Sequence, residues 1–89
     1  MSGPDDARLQ RLAGRVARQL RRDGARLVTA ESCTGGLVGA MITSVPGSSD
    51  YLLGDLVTYS NASKEKVLGV NPEVLRAHGA VSAETAVEM

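Results

Sequence analysis

Phenylalanine and tryptophan are absent from this sequence, and two tyrosines are its only aromatic residues. Aromatic rings normally supply much of the buried area of a small domain, so whatever core forms here is aliphatic. A single cysteine, Cys33, excludes an internal disulfide framework and a cysteine-built zinc site. Net charge is missing too. Ten Lys and Arg balance ten Asp and Glu, and nothing draws the chain as a whole toward nucleic acid or an anionic surface. There is no apolar run long enough for a membrane span, and no signal-peptide pattern opens the chain. The expectation is a cytoplasmic protein with no membrane partner. At 89 residues it is one compact unit at most, and an aliphatic core this short is marginal without more chain or a partner.

What is present is unevenly placed. Seven of the ten cations are arginines between Arg8 and Arg26. Within that stretch Leu9, Leu12, Val16 and Leu20 recur at helical spacing, with Arg8, Arg11, Arg15, Arg18 and Arg22 on a second face. Asp5 and Asp6 suit a helix start and Gly24 a stop, predicting a helix over about 6–23. The arginine face reads as a solvated surface, because nothing elsewhere extends it into a nucleic-acid patch. A strand over about 25–30 follows, then a helix over about 34–45 capped by Ser32 or Thr34 and ended by Pro46-Gly47. Gly36, Gly39, Ala40 and Thr43 place small groups on one face of that helix, which predicts a close approach to a neighbouring element. A longer strand over about 51–60, bulged at Gly54-Asp55, precedes short helices between about 62 and 89. Stops at Gly69 and Gly79 and caps at Asn71 and Ser82 divide those helices.

This order predicts an α/β fold, a layered α/β/α sheet with flanking helices. Two strands are too few for a stable covered sheet. The expectation is therefore a chain that holds only the N-terminal part of its domain, or one that associates. Val81, Ala83, Val87 and Met89 are expected at the resulting interface, and a homo-oligomer is the predicted state.

The junction Glu31-Ser32-Cys33-Thr34-Gly35-Gly36 carries the clearest chemical signal. A strand entering a helix through small residues leaves N–H groups at the helix start that favour an anion or a developing oxyanion. Ser32 or Cys33 placed there is a nucleophile beside those donors. The competing reading is an ordinary helix cap. A serine needs a base, and the single histidine, His78, precedes a glycine at an expected helix stop. Lys64, one turn into the element after Tyr59, can take the serine proton when it is itself neutral. Tyr59 can relay that proton. Taken singly, Lys64 is equally an exposed helix cation and Tyr59 a strand aromatic.

Four ordered motifs narrow the choice: Ala30-Glu31-Ser32-Cys33-Thr34-Gly35-Gly36, Pro46-Gly47-Ser48-Ser49, Val57-Thr58-Tyr59-Ser60-Asn61 with Lys64, and Leu75 with His78-Gly79-Ala80-Val81-Ser82. Together, from about Leu9 to Met89, they resemble the CinA C-terminal domain family. The resemblance implies a nicotinamide-nucleotide amidase, which converts nicotinamide mononucleotide to nicotinate mononucleotide and ammonia. It implies a small nucleotide as partner rather than nucleic acid, and neither cofactor nor metal. By the same resemblance Ser32 is the nucleophile and Lys64 and Tyr59 activate it, while Cys33, Thr34, Gly35, Gly36 and Asn61 contact substrate. A later Gly-Ile-Ala-Gly-Pro segment of the family has no counterpart here. The alternative is thus a catalytically incompetent fragment, or a nucleotide-binding module of the same family.

Overall fold

Local chemistry fixes most helix ends. In the computed structural model, which describes residues 6–89, α1 (Ala7–Asp23) starts where the Asp6 carboxylate accepts the N–H groups of Arg8 and Leu9. Asp5 lies outside the described residues. The helix ends at Gly24, whose left-handed φ of 61° suits glycine. Ala25 N–H still donates to Leu20 O at 3.0 Å, so Ala25 completes this cap and the strand begins later than position 25. Strand β1 is Leu27–Glu31, followed by α2 (Leu37–Thr43), a 3-10 turn at Ser48–Asp50, and β2 (Leu52–Val57). Three short helices complete the chain: α3 (Asn61–Leu68), α4 (Pro72–His78) and α5 (Ala83–Glu88). Ser60, Asn71 and Ser82 accept backbone N–H groups as their N-caps. Because Ser60 caps α3, β2 cannot run to position 60.

The two strands pair in parallel with α2 as their crossover, a βαβ unit. The chain is α/β. Register runs Leu27 to Leu52, then Val28 to Gly54 and on to Glu31 opposite Val57. Leu53 is therefore an extra residue in β2, one position before the Gly54-Asp55 bulge read from sequence. The bulge reverses which side chains face α2. Leu27 and Leu52 pack on the cluster of Ala17, Ile42 and Tyr51 between the sheet and the helices. After the bulge it is Asp55, not Gly54, that shares that side, where Thr29 Oγ1 donates to Asp55 Oδ1 at 2.8 Å. Val28 and Leu56 point the other way and are largely exposed.

On the α1 side of its contact with α2 the small residue Ala17 packs on Ile42. Ala13 and Ala17 are buried, while Leu12 and Val16 of the apolar stripe stay 52% and 40% exposed. At the far end Thr85 is buried and donates to Gly79 O at 2.7 Å, whereas Val81 and Val87 remain exposed. Among the described residues no helix is long and apolar enough to cross a membrane.

Candidate active site

The residues that follow β1 do not continue into a helix. Gly35 and Gly36 adopt φ of 61° and 110°, a region closed to most side chains, so α2 starts at Leu37 instead of 34. No side chain of Gly36 exists to cap it, and neither Ser32 nor Thr34 does so. The cap is Glu31. Its Oε1 accepts from Thr34 Oγ1 at 2.6 Å, Gly36 N–H at 2.9 Å and Val38 N–H at 3.1 Å. Its Oε2 accepts from Gly39 N–H at 3.0 Å. The donors expected to receive an oxyanion are thus filled by a carboxylate of the protein itself.

Glu31 is 5% exposed and meets a second carboxyl group. Gly39 permits the approach, since a Cβ there would lie 3.0 Å from Asp55 Cβ and Cγ and closer still to Oδ2. Burial alone would raise the Glu31 carboxyl. Hydrogen bonds from Asp55, Thr34, Gly39 and Val38 outweigh it and bring the pKa from its ordinary 4.5 down to about 2. Asp55 moves the opposite way, pushed up by burial and by the hydrogen bond and charge of Glu31. Of the two, Asp55 therefore holds a proton more tightly and Glu31 gives one up more readily. Sequence reasoning missed this pair. The signal was a glutamate at a strand end followed, four and five residues on, by two glycines.

Lys64 is the other buried charge. It is fully buried in the first turn of α3, and its Nζ donates to Thr58 O at 2.8 Å and Tyr59 O at 3.0 Å. Thr58 continues β2 by one residue, since its N–H donates to Glu31 O at 2.9 Å. In a parallel ladder the next bond would run from Cys33 N–H to Thr58 O. The ammonium of Lys64 occupies that acceptor instead, beside the point where Ser32 and Cys33 leave the sheet.

The other expected residues divide. Ser32 is half-buried and, with Cys33 and Thr34, forms one wall of a cleft of about 380 Å³ faced by Val81, Ser82 and Met89. Neither Lys64 nor Tyr59 lines that cleft. Tyr59 is 73% exposed, and its carbonyl rather than its ring meets Lys64. No hydrogen bond joins Ser32 to Lys64 or Tyr59 among the described residues. Asn61, exposed, opens α3. His78 is exposed on α4 with Nδ1 3.7 Å from Glu84, an arrangement that offers Ser32 no base.

A parallel strand–turn–helix unit with a capped, glycine-rich turn and a buried lysine at the neighbouring strand end defines an α/β domain with a candidate site at its strand ends. The sequence profile of the CinA C-terminal domain matches residues 9–89. The chain belongs to this family. A CinA-like protein of Syntrophobacter fumaroxidans is 47% identical over 89 residues, which is 100% of this chain and 20% of that protein. The crystal structure of the competence/damage inducible protein CihA from Agrobacterium tumefaciens superimposes with a TM-score of 0.88 at 42% identity, covering 91% of this chain and 49% of that one. For the competence damage-inducible protein A (ComA) of Klebsiella pneumoniae the TM-score is 0.87 at 39% identity, over 90% and 50% of the two chains. The chain spans about half the length of these solved structures and about a fifth of the curated relative.

Proposed function

We propose that this chain is part of a serine amidohydrolase that deamidates nicotinamide mononucleotide, with Ser32 as nucleophile. Ser32 Oγ attacks the carboxamide carbon, and neutral Lys64 Nζ takes the hydroxyl proton. The tetrahedral intermediate collapses as the amide nitrogen takes that proton and leaves as ammonia. Water, deprotonated by the same amine, then releases the carboxylate from the acyl-serine. Tyr59 relays the proton, Asn61 holds the substrate, and the turn residues Cys33 to Gly36 face it. With the α2 donors taken by Glu31, the oxyanion falls to the N–H groups of Cys33 and Thr34, which make no hydrogen bond among the described residues. The observation that carries this reading is the buried Nζ of Lys64 at Thr58 O, the ladder position next to Ser32.

Ammonia release from nicotinamide mononucleotide by the full-length protein tests it. Ser32→Ala should reduce turnover by roughly 10³-fold or more, and Cys33→Ala should leave most of it. Loss on alkylating Cys33 together with retention in Ser32→Ala would reverse the assignment. Nucleotide binding without turnover would return the chain to the binding-module alternative.

A further inference from the structure

Glu31 is attached to three elements at once. Its carbonyl accepts from Thr58 beyond β2, its carboxylate takes the N–H groups of Gly36, Val38 and Gly39 at the start of α2, and its Cα precedes that of Ser32. The turn that carries Ser32 is therefore tied at both ends to one residue, by its backbone and by its side chain, with Thr34 Oγ1 as a further tie in its middle. Asp55 stands behind that side chain from β2, held by Thr29 Oγ1 and kept on the α2 side because the bulge leaves Leu53 out of register. We infer that Glu31 is a positioning residue for Ser32, with Asp55 as its brace across the sheet.

Two other roles for Glu31 fail on the same geometry. No lysine or arginine forms an ion pair with it among the described residues, so it does not orient a cationic base. Its oxygens are filled by four donors and its carboxyl is held down near about 2, which makes it a poor acceptor for a substrate proton. What remains is geometry. A nucleophile displaced by on the order of 1 Å loses about 100-fold in rate, and Glu31 is the group whose removal frees the turn to move.

The inference rests on the amidase reading for its kinetic arm, and a second arm is independent of it. In the full-length protein, kcat and KM for ammonia release and the amide exchange of residues 32–39 by mass spectrometry are compared in Glu31→Gln, Asp55→Ala and Asp55→Asn. Glu31→Gln should lower kcat by about 10- to 100-fold with KM within about twofold of the parent, and should speed exchange at residues 36–39. Asp55→Ala should lower kcat several-fold, and Asp55→Asn should restore it, because the amide still donates to Glu31. Unchanged kcat in folded Glu31→Gln, a loss confined to KM, or unchanged exchange would overturn the assignment. If Glu31→Gln does not fold, equal kcat in the two Asp55 variants overturns it. If the parent protein releases no ammonia, the amidase reading falls, and unchanged exchange in Glu31→Gln would still sink the role given to Glu31.

Discussion

The two strand-to-helix junctions lie side by side, and each holds a buried charge in its own way. After β1 the carboxylate of Glu31 is surrounded by N–H and O–H donors; after β2 the ammonium of Lys64 is held by two backbone carbonyls. Among the described residues neither group has an opposite charge as its partner. The capping differs as well. Helix α3 uses Ser60, whose hydroxyl oxygen accepts the Ser63 N–H, whereas α2 is capped from the preceding strand. A serine that caps a helix has its oxygen occupied. By capping α2 from β1, Glu31 leaves the Ser32 hydroxyl without a hydrogen bond among the described residues, as the proposed nucleophile requires.

This contrast can be broken most forcefully at Lys64. Lys64→Met should lower kcat/KM for ammonia release by roughly 10²- to 10⁴-fold, the range for losing a general base. Lys64→Arg should fare no better, since a guanidinium does not give up its proton. Substantial activity in Lys64→Arg would mean that the lysine works by charge alone. Next comes Glu31→Ala, which leaves the N–H groups of Gly36, Val38 and Gly39 without their anionic partner. About 3 kcal/mol of stability should disappear, read as a lower urea midpoint with an unchanged slope.

The carboxyl pair adds a dependence on pH with two opposed signs. Glu31 has its folded pKa depressed to about 2 from 4.5, so its stabilisation is complete above about 4.5 and drains away as pH falls toward about 2. Asp55 is raised in the fold, so its contribution is complete below its ordinary 3.8 and is lost as pH rises through the folded value. Asp55→Asn removes only the second part. The variant should be at least as stable as the parent at pH 7 in urea titrations, and a clear loss there would show that Asp55 is needed ionised. The smallest effects separate the two serines. Ser60→Ala should cost about 1 kcal/mol as a lost cap, and Ser32→Ala should stay within about 0.5 kcal/mol of the parent. Equal losses would mean that Ser32 is structural.

What sequence reasoning could reach followed the range of the interaction. Asp6, Asn71, Ser82 and Gly24 act on residues within a few positions, and their roles are legible from spacing alone. The small-residue face of α2 was legible too, since Gly39 signals close approach and the approaching group is Asp55. Glu31 was not. Serine and threonine are the usual caps, and the glutamate reaches the helix only because two left-handed glycines fold the turn back over it. Burial of Lys64 depends on the carbonyls at the end of β2, a contact that spacing within α3 cannot reveal.

Leu53 shows a different kind of constraint. Its side chain is exposed, so replacing it with another residue disturbs no buried contact. Deleting it would leave the sheet in register as well. Strand side chains alternate sides, and Leu52, Gly54 and Asp55 joined without Leu53 would alternate regularly against Leu27, Val28 and Thr29, with Asp55 still on the side of α2. The carboxyl group behind Glu31 would instead be turned away by one residue added between Gly54 and Asp55, without any change to the identity of Glu31, Asp55 or Ser32. In this strand the place of a gained or lost residue matters more than its kind: one codon can be dropped at Leu53, whereas one codon gained beyond it carries Asp55 to the opposite face.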